Sequence, residues 1–153
     1  VSPENDEAWD LLLRSHMTRG DVDGALEAAG RWTTEGGSSA PDDTALMELE
    51  TAVETAGPPG YWAWRAHRLE SAVEAGAAVH DFDLASTYAA LGDEERALEH
   101  LVRALRAGEP SVMTIRTDPV WDDLRANQRL REILREAQRL RFNSPRGPRP
   151  PGG

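Results

Sequence analysis

The stretch from Asp83 to Pro110, DLASTYAALGDEERALEHLVRALRAGEP, constrains the fold of this chain more than any other. Leu84, Tyr88 and Leu91 recur at spacings that place them on one face of a helix. Gly92-Asp93 stops that helix, and Leu98, Leu101, Val102 and Leu105 give a second helix its apolar stripe. Ala97, small and near the start of the second helix, lets the two approach closely. The pattern is that of a helical hairpin. One hairpin cannot bury its own apolar faces, so the stretch predicts neighbouring copies stacked beside it.

An earlier copy is legible. Trp9, Leu12, Leu13, His16 and Met17 stripe a helix over residues 6–19, and Val22, Ala25, Leu26, Ala29 and Trp32 stripe another over 22–34. His16 stands where Tyr88 stands later. Gly20 and Ala25 lie 72 residues before Gly92 and Ala97, which is about two lengths of a 34-residue repeat. A middle copy should therefore turn near residue 56, where Ala56-Gly57-Pro58-Pro59-Gly60 is found. Asp42 or Asp43 is placed to cap its incoming helix, striped by Leu46, Leu49, Ala52, Val53 and Ala56. Its outgoing helix carries Tyr61, Trp62, Ala66, Leu69 and Val73. Trp62 occupies the position of Ala25 and Ala97, which predicts that this hairpin splays. Gly36 to Pro41 and Gly76 to Ala78 read as flexible connections.

Beyond Pro110, Asp118-Pro119 reads as a helix start, and a final helix over 127–142 is striped by Leu130, Ile133, Leu134, Ala137 and Leu140. Its apolar face would cover the last hairpin while its arginines face solvent. The expected organisation is all-α: an α-solenoid of three hairpins, at about 5–35, 42–75 and 80–108, with a C-terminal capping segment at 117–142. Residues 143–153, rich in Pro, Arg and Gly, read as a disordered tail.

At 153 residues the chain suffices for one domain. Five of its few aromatic residues are Trp, which suits anchors of helix packing. The absence of Cys excludes disulfides and thiolate metal sites, and no apolar run reaches membrane-spanning length. The opening Val1-Ser2-Pro3 reads as part of a longer protein, and the compartment stays open with the cytoplasm favoured over a secreted or periplasmic location. Charge is unevenly spread: residues 1–100 hold 21 acidic residues and 6 Arg, a net of −15, whereas residues 101–153 hold 6 acidic residues and 11 Arg, a net of +5. Nucleic-acid binding needs a basic face, so the acidic body argues against it and for basic protein segments as partners.

The run from Tyr61-Trp62-Ala63-Trp64 through Leu84–Pro110 to Asp118-Pro119-x-Trp121-Asp122-x-Leu124-Arg125 and the Leu-rich last helix resembles the C-terminal tetratricopeptide-repeat (TPR) region of bacterial signalling and transcription-regulatory proteins. The resemblance covers about residues 5–142, is most specific in the last hairpin and the cap, and carries no catalytic residue over. It implies a scaffold or sensor module that docks a partner segment in a groove lined by the first helix of each hairpin. That face would include Asp10, Arg14 and Met17 in the first hairpin and Phe82, Ser86 and Ala89 in the third. The alternative function is a structural subunit that self-assembles into an oligomer or filament through end-to-end stacking and tail contacts.

The residues themselves offer little chemistry. The four His never fall at the i, i+4 spacing of a helical metal site, and His80-x-x-Asp83 is better explained by aspartates at a helix start. Glu48, Glu50 and Glu54, and Asp93-Glu94-Glu95, suit solvated faces and a helix first turn. No phosphate-binding loop or nucleophile elbow is present. The expectation is a non-enzyme without metal or cofactor. Tyr61, Trp62, Trp64, Arg65 and Arg68 form the densest group able to grip a partner, through guanidinium stacking or aromatic anchoring, although Trp62 also fits the core and Tyr61 and Trp64 the cover of a neighbouring hairpin. Pro145-x-x-Pro148 and Pro148-x-x-Pro151 have the form of a polyproline ligand, as Pro-rich tails often do.

Overall fold

The structure, a computed structural model, describes the backbone of residues 3–143 and the side chains of residues 6–140. The tail assigned to 143–153, with its Pro-x-x-Pro patterns, lies outside the described residues apart from Asn143. Every regular element among the described residues is helical: α1 (Pro3–Thr18), α2 (Val22–Glu35), α3 (Asp43–Ala56), α4 (Pro58–Glu74), α5 (Asp81–Leu91), α6 (Glu94–Arg106), two 3-10 helices (Pro110–Arg116 and Pro119–Leu124) and α7 (Gln128–Asn143). Consecutive helices pack as pairs, α1 with α2, α3 with α4 and α5 with α6.

The pairs form where turn chemistry dictates. Gly20 and Gly92 sit at φ +74° and +77°, a conformation open to residues without a Cβ, and each is followed by an aspartate that caps the next helix. Asp21 accepts from the Gly24 amide at 3.0 Å and Asp93 from the Arg96 amide at 3.2 Å. Asp42 caps α3 in the same way, accepting from the Ala45 amide at 2.8 Å. The middle turn is built differently. Gly57 supplies the positive φ, and Pro58 opens α4 without any side-chain cap.

The expected splaying at Trp62 is answered two residues earlier. A Cβ on Gly60 would stand 2.1 Å from the carbonyl oxygen of Ala52, so α3 and α4 touch backbone to backbone there. The small residue of close approach has moved from position 62 to position 60, which frees Trp62 to face other elements. Asp81 and Asp83 stand in the first turn of α5, as expected of aspartates at a helix start, but neither is the capping residue. His80 is the N-cap, but its side chain does not cap the helix; Glu109, beyond α6, accepts instead from the amides of Asp81 at 3.2 Å and Phe82 at 3.0 Å. Asp81 turns to His100, 2.9 Å away.

The connection at Gly36–Pro41 is tied down. Asp6, buried on α1, accepts from the Trp32 indole at 2.8 Å and from the amides of Gly37 at 2.7 Å and Ser39 at 3.0 Å. Burial by itself would raise its pKa, but the Trp32, Ser39 and Gly37 donors outweigh it and hold the carboxyl below its ordinary value.

Buried apolar side chains fall into two clusters. One joins α1–α4 through Leu13, Met17, Ala25, Trp32, Leu49, Tyr61 and Trp62. The other joins α5, α6, both 3-10 helices and α7 through Phe82, Leu101, Ile115, Trp121, Leu130 and Ile133. Trp121 is fully buried and stacks on Phe82 at 6.1 Å. Val120, beside it, packs against both clusters. The helix between the clusters is α4, which contacts α1, α3 and α5.

Candidate functional site

The central position of α4 gives its polar residues their surroundings. Arg65, only 4% exposed, donates from Nη1 to Thr87 Oγ1 at 2.8 Å and from Nη2 to Asp10 at 2.9 Å, with Asp83 3.9 Å away. One guanidinium therefore ties α1, α4 and α5 together. Burial opposes its charge, but Asp10, Tyr61 and Asp83 outweigh that effect and its pKa is raised. Burial likewise pushes the Asp83 carboxyl up, against the opposing pull of Arg65 and Arg14. Arg14 pairs with the same Asp10 oxygen at 3.2 Å. The Tyr61 hydroxyl and the Arg65 Nε are buried with no hydrogen-bond partner among the described residues. Burial raises the phenol pKa, so Tyr61 stays neutral.

A groove opens beside this network, between α1 and the Pro119–Leu124 3-10 helix. Its first part, of about 320 Å³, is bounded by Leu11, Arg14, Ser15, Thr18 and Arg19 on one side and by Asp118, Pro119 and Val120 on the other, with Trp62 and Ser86 at the floor. A second part of about 580 Å³ shares Thr18, Arg19, Trp62, Pro119 and Val120 and runs on past Met17, Pro58, Pro59, Ala89 and Ala90 to Asp122 and Asp123. The shared lining makes the two parts one continuous groove. A separate apolar depression of about 710 Å³ lies on the outer side of α3 and α4, between Met47, Thr51, Thr55, Ala63 and Trp64.

The sequence-selected residues divide accordingly. Arg14, Met17, Ser86 and Ala89 line the groove, the last three as floor atoms of side chains that are otherwise buried. Asp10, Tyr61 and Arg65 belong to the buried network, and Phe82 lies under Trp121. Trp64 is buried, donates to the Ala45 carbonyl at 3.0 Å and carries the Arg68 guanidinium on its ring at 5.0 Å. Arg68 also donates to the Ser39 carbonyl at 3.1 Å. Trp62, which the sequence reading groups with Tyr61, Trp64, Arg65 and Arg68, also lines the groove, whereas Leu11, Thr18, Arg19 and the 118–123 segment carry no partner-binding expectation from sequence. Of these four, Leu11 offers a signal, as a leucine off the apolar stripe, and it is 59% exposed. Besides residues of the first helices α1 and α5, the groove takes Trp62 from α4 and residues of the Pro119–Leu124 3-10 helix.

What fold and site define together is an all-helical chain of neighbouring helix pairs with an open groove across non-consecutive elements. No protein-family model, curated protein or solved structure matches the chain. No helix among the described residues is long and apolar enough to cross a membrane, and no group of three or more His, Asp or Glu among them is placed to hold a metal ion.

Proposed function

We propose that this chain is a TPR-like α-solenoid that works as a protein-interaction scaffold or sensor module, docking an extended segment of a partner protein, and that it is not an enzyme. The single observation that carries the reading is the continuous open groove between α1 and the Pro119–Leu124 3-10 helix, whose lining includes the apolar Trp62 and Val120. An open groove with an apolar floor and polar walls suits a chain segment, whereas small-molecule sites enclose most of their ligand. The strongly acidic first 100 residues favour approach of segments with net positive charge. Peptide phage display on the intact chain tests this, with parallel selection on Thr18→Trp, which fills the groove from an exposed position. Enriched peptides should bind the variant at least tenfold more weakly. Equal binding to both proteins would refute the groove as the docking site.

A second reading, self-assembly into an oligomer or filament, is favoured by opposite charge on two separate helices, α3 of the middle pair and the C-terminal α7. α3 exposes Asp43, Glu48, Glu50 and Glu54 and has no basic residue, while α7 exposes Arg129, Arg131, Arg135 and Arg139 beside the half-exposed Leu140. Light scattering across concentration at about 50 and 500 mM salt tests it, since screening over a few Å should dissolve such contacts. A concentration-independent monomer mass at low salt would reject it.

A further inference from the structure

The walls of the groove are charged with opposite sign. On the α1 side its charged members are Arg14 and Arg19, with no acid among them; on the side of the 3-10 helix they are Asp118, Asp122 and Asp123, with no base. Most of these charges are engaged. Arg14 pairs with Asp10 and Asp122 with Arg125, while Asp118 accepts from the Val120 amide at 3.0 Å. Arg19 and Asp123 are exposed and hold no ion pair within 4.0 Å among the described residues. The lining they share includes the apolar Trp62 and Val120.

We infer that the groove selects a bipolar peptide: an extended segment with an apolar residue at its centre, a carboxylate on the side of Arg19 and a basic side chain on the side of Asp123. The inference rests on the docking reading and refines it, because net charge alone would favour a purely basic segment. A purely basic segment satisfies Asp123 but sets a cation against Arg19. A purely acidic segment does the reverse. Only the mixed segment meets both walls with opposite charge, and like-charge juxtaposition works against the others. Each exposed pair contributes about 1.5- to 5-fold in affinity, so the effect is one of selection among segments more than of absolute strength.

The test uses the full chain and four nonapeptides carrying an uncharged dye, Gly-Gly-X-Ala-Leu-Ala-Z-Gly-Gly, where X and Z are Glu and Arg, both Glu, both Arg, or both Gln. Fluorescence anisotropy at about 50 mM salt should rank the mixed peptide first, by about threefold or more over either same-sign peptide. Arg19→Glu should weaken the mixed peptide by about two- to tenfold and make the doubly basic one the best ligand. Asp123→Arg should move preference to the doubly acidic one, and the double exchange should restore preference for the mixed peptide, now bound in the reverse direction. A wild-type preference for a same-sign or neutral peptide overturns the inference, as do charge variants that scale all four peptides equally. If such binding is still lost in Thr18→Trp, the docking reading survives and only bipolar selection falls. If no peptide binds at 1 mM, or Thr18→Trp changes nothing, both fall.

Discussion

Replacing Trp121 by Ala should be the most damaging single truncation at the C-terminal end of the core. Its side chain is fully buried and stacks on Phe82 with ring centroids 6.1 Å apart, in the cluster that also holds Leu130 and Ile133 of α7. A buried aromatic of this size removes about 150–250 Å² from water, and at about 25 cal/mol per Å² that area corresponds to about 4–6 kcal/mol. Ala keeps part of that burial, and measured Trp→Ala losses fall at about 3–5 kcal/mol. With a urea dependence of about 2 kcal/mol per M, the unfolding midpoint should drop by about 2 M. Trp121→Phe separates packing from polarity. The Trp121 Nε1 is buried with no hydrogen-bond partner among the described residues, so Phe keeps most of the apolar contact and removes an unsatisfied donor. It should cost less than about 1.5 kcal/mol. Equal midpoints for Trp121→Ala and the parent, or a Phe variant as unstable as the Ala one, would refute the argument that Trp121 joins the last hairpin to α7 by packing.

Asp6→Asn should cost about 1.5–3 kcal/mol at pH 7, because three donors lose a charged acceptor. The Asp6 pKa is lowered in the folded state, so its contribution is present above its ordinary value of 3.8 and is lost as pH falls through the folded value. The gap between parent and variant in urea melts should accordingly narrow below about pH 4; a gap constant from pH 7 to pH 3 would contradict the carboxylate's role. Arg65→Ala should cost about 3–5 kcal/mol at pH 7, since it strands Asp83 and deprives Asp10 of one partner. Asp83 has a raised pKa, so it is stabilising below its ordinary value and loses that benefit as pH rises through the folded one. Without Arg65 burial acts on Asp83 unopposed by that cation, and the deficit at pH 7 should exceed the deficit at pH 5; an unchanged deficit would argue that Asp83 is not part of the network.

The helices and their pairing are local consequences of the sequence. Gly20-Asp21 and Gly92-Asp93 end one helix and cap the next within three residues, and the apolar stripes follow from the 3.6-residue turn, so the all-helical class, the turns and the aspartate caps could be read from spacing. What periodicity cannot carry is which face meets which distant element. Trp62 falls on an apolar stripe either way; only the packed structure shows that close contact is made at Gly60, where a Cβ would collide with the Ala52 carbonyl, and that Trp62 lines the groove. Glu109 capping α5 from 27 and 28 residues away, and Asp6 holding Gly37 and Ser39, are bonds between segments with no local signature. The sequence groups Arg65 with Tyr61, Trp62, Trp64 and Arg68 and gives no sign of its burial; it is buried because α4 lies between α1 and α5, and a buried charge is tolerable only where tertiary packing brings Asp10, Asp83 and Thr87 around it. The groove depends on the same packing, since Arg19 and Asp123, about a hundred residues apart in sequence, line one groove only where the fold brings their segments together.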